Sequence, residues 1–451
     1  MELKRRTEDA APGDRSDVDT TVASSGPAWR VYVRALGPGL VTGASDDDPS
    51  GIATYAQAGA QFRYGLLWTS LLTLPLMAAI QEICDRTALA SGKGLGELAV
   101  ARFPRWRKLL WVLVSALLAA NLLNIAADVV AVGEGMHLLH AGPTTLWALL
   151  SGTLITVLIV AGSFEVIARV FKFLCAALFT YIVVMFVSNA PWGTVLAHTL
   201  VPHIELTKEY MLLLVAVLGT TISPYLFFWQ SAHRVEELRD EPEGGDDPVP
   251  LSERPQRQAI RKLRTSRVDV FVGMAFSNIV MFAIIVATGS TLGAHGHTTI
   301  TSAAQAAQAL RPIAGSWSET LFALGFIGSG MLAIPVLAGA GSVGMAGLLD
   351  KDWGFSKSVR QAPVFYGLVI LGTLGGTLLT LTGLDPVKLL VYSALINGLL
   401  AAPFLVLVMV ISNDPTALGT YTNGKLARTL GWFATILMAA SAILYLALTY
   451  G

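Results

Sequence analysis

The sequence predicts an all-α integral membrane protein of about eleven transmembrane helices. The expected order is an inverted repeat of five plus five helices, with helices 1 and 6 broken, then one extra helix. Three observations predict this. Of 451 residues, 53% are hydrophobic and only 14% charged, against about 25% charged in an average soluble domain. Mean hydropathy is +0.60. Segments of roughly 20 mostly apolar residues, long enough to cross a bilayer, recur along the chain. Two of them, in corresponding positions five helices apart, are interrupted by a proline among small polar residues.

The elements follow in order. Residues 1–33 are polar and charged, with no apolar run, and read as a disordered cytoplasmic tail. Residues 34–451 form the membrane domain. Spans are expected near 36–61, 64–90, 108–135, 144–164, 168–189, 209–231, 268–292, 319–347, 361–383, 387–411 and 428–449. The two repeats cover about 36–190 and 209–411, and 428–449 is the extra helix. Residues 236–258, rich in Pro, Gly and both charge signs, read as a flexible cytoplasmic linker.

Lys and Arg set the orientation, because cytoplasmic loops carry the excess. Lys93, Arg102, Arg105, Arg107 and Lys108 follow span 2. Arg234, Arg239, Arg254, Arg257, Arg261, Lys262, Arg264 and Arg267 follow span 6. Lys351, Lys357 and Arg360 follow span 8, whereas the loop after span 7 has only Arg311. The N-terminus is therefore expected inside and the C-terminus outside, in a cell membrane. Zero net charge gives no electrostatic case for nucleic acid. Cys84 and Cys175 fall in spans and make neither a disulfide framework nor a zinc site.

Span 1 carries Ala44-Ser45-Asp46-Asp47-Asp48-Pro49-Ser50-Gly51. Pro49 lacks an amide hydrogen and disfavours helix at Asp48. Span 6 carries Gly219-Thr220-Thr221-Ile222-Ser223-Pro224-Tyr225. Paired interrupted helices point to an inverted-repeat transporter with its site at the bilayer midplane. Freed carbonyls at a half-helix C-terminus suit a cation. A mid-membrane charge costs about 2.5–3.5 kcal/mol on insertion scales. No Lys or Arg is expected deep in a span to pair with these acids, which favours a bound cation. For Asp46 and Asp47 a non-ligand reading is the stronger one: they face a solvated vestibule, or one is protonated because like charges so close cannot all stay ionised.

At these residues the chain resembles the Nramp family of divalent metal transporters. Gly37-Pro38-Gly39, Asp48-Pro49-Ser50-Gly51 and Gln57-Ala58-Gly59-Ala60 match the family's first helix. GTTISPYLFFWQSA, residues 219–232, matches its sixth. The resemblance covers roughly residues 36–450 and implies a LeuT-type inverted repeat. It places the metal-binding aspartate at Asp48 and the carbonyl ligand at Thr220. Gly51 stands where the family has an Asn ligand, Ser223 where it has Met, and Tyr225 where it has His. In helix 3 Asp128 is kept, but Ala131 replaces a Glu linked to proton movement.

Thioether favours softer metals, whereas carboxylate, carbonyl and water suit Mg²⁺, Ca²⁺ and Mn²⁺. Mg²⁺ dehydrates reluctantly and keeps several waters. The departures therefore imply a roomier, oxygen-only site like that of the Nramp-related magnesium transporters, with Asp47 adding field. The expected protein is no enzyme, and its Mg²⁺ or Mn²⁺ is cargo, with no cofactor. It would import the ion partly hydrated, with weak or no proton coupling. A proton-coupled Mn²⁺ or transition-metal symporter is the alternative, and an inverted-repeat transporter of an organic substrate the more distant one. An intramembrane hydrolase would need a second carboxylate, for which Asp128 is the obvious candidate. The partners are divalent ions and the lipid bilayer.

Weaker candidates remain. Asn397 reads equally as a site-facing residue and as an interhelical packing bond. Asn278 reads as packing, Glu134 as a solvated vestibule acid, and Glu82 with Arg86 as a surface ion pair. His295 and His297 read as an exposed loop pair. Gly325, Gly328 and Gly330 read as close helix packing.

Overall fold

A computed structural model describes residues 42–43, 45–162, 178–241, 244–245, 248–296, 299–300, 302–310, 315–383 and 385–450. The expected tail at 1–33, Gly37-Pro38-Gly39, Cys175, His297 and Arg311 lie outside the described residues. All regular structure among the described residues is helical.

The first interruption is where the proline puts it. Ser45 and Asp46 are helical, Asp47 and Asp48 are not, and helix α1 runs Pro49–Phe62. Asp48 caps it by accepting the Gly51 amide hydrogen, and Pro49 occupies the first helical position, where no amide partner is needed. Then come α2 (Trp68–Ser91), α3 (Leu95–Arg102), α4 (Arg107–Leu138), α5 (Thr144–Val160), α6 (Phe179–Val187) and α7 (Trp192–Leu200). The second interruption separates α8 (Lys208–Thr221) from α9 (Pro224–Arg239), leaving Ile222 and Ser223 non-helical. The rest are α10 (Gln256–Thr291), α11 (Ala303–Ala307), α12 (Ser318–Leu348), α13 (Pro363–Leu379), α14 (Pro386–Ser412) and α15 (Lys425–Tyr450).

Among the described residues, seven helical stretches are long and apolar enough to cross a membrane. Burial sorts them. The apolar window of Lys208–Arg239 is 94% buried, against 33% for Pro363–Thr382 and 39% for Lys425–Tyr450. The broken helix therefore sits at the centre, and α13 and α15 offer their apolar faces to lipid. Irregular backbone at membrane depth survives only when buried in protein or beside water.

Close backbone approaches hold the half-helices. A Cβ on Gly219 in α8 would lie 2.4 Å from the Ala394 carbonyl oxygen and the Gly398 nitrogen of α14. One on Gly59 in α1 would lie 2.6 Å from the Ile285 carbonyl oxygen of α10. Only glycine permits either crossing.

Two expectations change. Residues 236–258 are not a free linker: α9 extends through Arg239 and α10 begins at Gln256. Between them Leu251 is fully buried against a cluster of Leu89, Leu238, Ala259 and Leu263. Glu241 bonds Arg254, and Lys262 reaches Glu241 at 2.7 Å and Glu237 at 2.5 Å. Glu241 is partly buried, which opposes ionisation, but the Lys262 and Arg254 bonds hold its carboxyl below the usual range. Hydrophilic composition concealed this docking. The short helices α3 and α7 were also missed, since both are far below spanning length.

Candidate functional site

Four carboxylates gather in the bundle interior. Asp46, Asp47 and Asp128 are fully buried and Asp48 is 2% exposed. They do not face a solvated vestibule, and none forms an ion pair with a described residue. Asp46 accepts the Ser277 hydroxyl of α10 at 2.6 Å, and Asp47 lies 3.2 Å from the same oxygen. Asp46 Oδ1 and Asp47 Oδ2 have no hydrogen-bond partner among the described residues.

Asp48 is held on both oxygens. Its Oδ1 accepts the Ser50 hydroxyl at 2.6 Å and the Gly51 amide at 2.7 Å. Its Oδ2 accepts the Asn124 side-chain amide of α4 at 3.0 Å. A carboxylate offers about four lone-pair positions, so roughly one on Oδ2 is left for a cation. Gly51 contributes no side chain, only the amide that fixes Asp48.

The second break supplies neutral oxygens. The helical partner of the Thr220 carbonyl would be residue 224, a proline without an amide hydrogen. The Ser223 hydroxyl lies 2.9 Å from that carbonyl and 2.6 Å from the Gly219 carbonyl. The Thr220 hydroxyl lies 2.9 Å from the Tyr55 hydroxyl of α1. Pro49 does for Ser45 what Pro224 does for Thr220, and the Tyr225 hydroxyl donates to the Ser45 carbonyl at 3.3 Å. Tyr225 thus ties the two breaks together.

Helix α4 brings a polar stripe. Asp128 lies one turn beyond Asn124, on the same face. Neither Asp128 oxygen, nor Asn124 Oδ1, has a partner. A Cβ on Gly330 would lie 3.1 Å from the Asp128 carbonyl oxygen and 3.3 Å from Pro49, so α4 and α12 close on the start of α1. Asn397 is buried in α14 with its Oδ1 unpartnered. Asn124 was missed by sequence reasoning. Its register, four residues before Asp128 in an apolar helix, was the available signal.

Gln57 stands apart from the breaks. It accepts the Ile300 amide at 2.8 Å and donates to Gln61 at 3.1 Å. With Gln61, Glu209, Asp385 and Lys388 it lines a cavity of about 200 Å³. Asn278 donates to Thr73 at 3.0 Å, a packing bond. Half-buried Glu134 accepts the Thr144 hydroxyl at 2.9 Å, and His295 is exposed.

At the other end of α9 lies a cluster that the sequence reading did not anticipate, having placed Arg234 in a loop. Arg234 is 3% exposed. It pairs with Asp85 of α2, with Glu237 at 2.6 Å and with Asp269 of α10 at 2.9 Å. Gln230 donates to Asp85 at 2.8 Å and accepts the Thr42 hydroxyl at 2.6 Å; the Ser266 hydroxyl also bonds Asp85. Arg86, expected on the surface, is 4% exposed and also bonds the Asn423 side chain and the Tyr421 carbonyl, each at 2.5 Å. Each cation has an acid within one helical turn, Glu82 for Arg86 and Glu237 for Arg234, yet the fold also uses both cations to join helices.

Among the described residues no three His, Cys, Asp or Glu side chains are placed to hold a metal together. A cation at the breaks would rest on one carboxylate with carbonyl, hydroxyl and water oxygens. Hard ions accept such a mixed set.

Two relatives are proteins named divalent metal cation transporter MntH. That of Mycobacterium tuberculosis is 28% identical over 92% of this chain and 91% of its own length. That of Caldanaerobacter subterraneus is 24% identical over 92% and 94%. A crystal structure of the Eremococcus coleocola manganese transporter, with an aromatic bis-isothiourea substituted compound, superposes with a TM-score of 0.70. The identity is 17%, covering 96% of this chain and 90% of that one. Mhp1, a nucleobase-cation-symport-1 family transporter in a closed conformation, gives 0.52 at 13% identity, covering 92% of each chain. The family model for natural resistance-associated macrophage protein-like chains matches residues 39–448, and this multi-pass membrane protein belongs to the Nramp family.

Proposed function

We propose that this protein is a divalent metal cation transporter that imports Mg²⁺, and also Mn²⁺, as a partly hydrated ion with weak or no proton coupling. The observation that carries the reading is the donor set at the two breaks. It consists of Asp48, the Thr220 carbonyl and the Ser223 hydroxyl, all oxygen, with Asp47 close by in sequence. Oxygen donors suit hard cations, and Ser223 stands where a sulfur would favour softer ones. The relatives named for divalent metal cations and for manganese support the general class.

Two positions that the resemblance links to proton coupling lack their usual residues. Ala131 cannot titrate, and the Tyr225 hydroxyl is engaged with the Ser45 carbonyl. A phenol titrates near pH 10 in any case. The membrane potential supplies about 2.3 kcal/mol per charge per 100 mV, so roughly 4.6 kcal/mol for a divalent ion. That suffices for accumulation. The distribution of Lys and Arg supports an N-terminus in the cytoplasm and a C-terminus outside.

The test is ion flux into vesicles holding the purified protein, under an imposed potential, with an internal pH dye. Saturable entry of Mg²⁺ and Mn²⁺ is expected, without acidification beyond leak. Efficient Cd²⁺ entry with no Mg²⁺ entry at millimolar concentration would overturn the hard-ion reading. Acidification that scales with metal entry would make the protein a symporter, with Asp128 as the carrier.

A further inference from the structure

We infer that α4 supplies the outer shell of the ion site: Asn124 and Asp128 accept hydrogen bonds from the waters that the ion retains. This rests on the proposed hydrated cation and adds residues and a role that the proposal does not contain.

The argument is a count of acceptors. An octahedral ion needs six ligands. Asp48 has about one lone-pair position left, and the Thr220 carbonyl and Ser223 hydroxyl each add one. About half the shell must then be water. Water bound to a divalent ion is a strong donor with two hydrogens, and in a buried site each hydrogen needs an acceptor. Asp48 cannot serve, because Ser50, Gly51 and Asn124 take about three of its positions and the ion takes the last.

The structure offers acceptors of the right kind. Asn124 Oδ1 and both Asp128 oxygens are buried without a partner. Buried polar atoms of this sort normally have one. Asn124 is fixed beside the site, since its own amide nitrogen is 3.0 Å from Asp48 Oδ2. Asp128 follows one turn later on the same face, and its helix closes on Pro49. Asn124 therefore grips the ligand with one end and presents a water acceptor with the other. Such a shell selects by hydration. Mn²⁺ sheds water more readily than Mg²⁺ and depends on it less.

The experiment is calorimetric titration of the purified full-length protein with Mg²⁺ and, separately, Mn²⁺. The variants are Asn124→Leu, which has no acceptor, and Asp128→Asn, which turns one acceptor into a donor. Each should weaken Mg²⁺ about tenfold or more while weakening Mn²⁺ less than about threefold. Retained Mn²⁺ binding shows that the variant is folded, and either variant alone suffices. Equal weakening of both ions, or none, overturns the inference while leaving the transporter reading intact. If the unmodified protein binds Mn²⁺ but no Mg²⁺, the hydrated-ion reading falls, and this inference falls with it.

Discussion

Asp48 does two jobs, and they can be separated. It caps α1, and in the proposed ion site it supplies the charge. Replacing an N-cap acid by Ala costs about 0.5–2 kcal/mol, whereas Asn keeps the cap and removes the charge. Asp48→Asn is therefore expected to hold its melting temperature near the parent's in detergent, yet to show no Mg²⁺ or Mn²⁺ uptake in vesicles. Uptake near the parental rate would remove Asp48 from the site. In the proposed site Ser223 would set the ion's character. Ser223→Met should gain Cd²⁺ binding and lose Mg²⁺ flux more than Mn²⁺ flux, read in parallel flux assays. Asp48, Ser223 and Tyr225 were legible in the sequence because prolines mark both breaks. Asn124 was not, because one Asn in an apolar helix ordinarily reads as a packing residue. Arg234 was misjudged because its partners Asp85 and Asp269 are far away in sequence.

At the scale of elements, the crossing of α8 and α14 fixes where the Thr220 carbonyl stands. A Cβ on Gly398 would lie 2.4 Å from the Val215 carbonyl oxygen. Gly398→Ala should push the helices apart and destabilise the fold by about 1–3 kcal/mol, as overpacking does. Thermal unfolding in detergent will show a lowered midpoint, and metal uptake should fall with it. The long spans were legible because twenty apolar residues leave few alternatives. The docked segment between α9 and α10 was not. Its one buried anchor, Leu251, is lost among charges whose pairing depends on three-dimensional proximity.

At the scale of the molecule, Arg234 ties α9 to α2 and α10, and Asp85, which it shares with Gln230, extends the link to Thr42 ahead of the first break. Removing one partner of a buried ionic cluster costs about 3–5 kcal/mol, because the charges left behind remain buried. Arg234→Met should unfold at a markedly lower temperature. Arg234→Met combined with Asp85→Leu should regain part of that loss. No recovery would mean that Arg234 stabilises through packing alone.

The burial of Asp48, 2% exposed among three fully buried acids, also decides how traffic is counted. An ion resting there touches neither bath. Each crossing must wait for the helices to rearrange, so entry is paced by protein cycles and not by the crowd of ions outside. The protein would turn over like a revolving door: throughput levels off at high concentration and falls steeply on cooling. No single-channel current would then be expected, because a fully enclosed ion has no open path to either side.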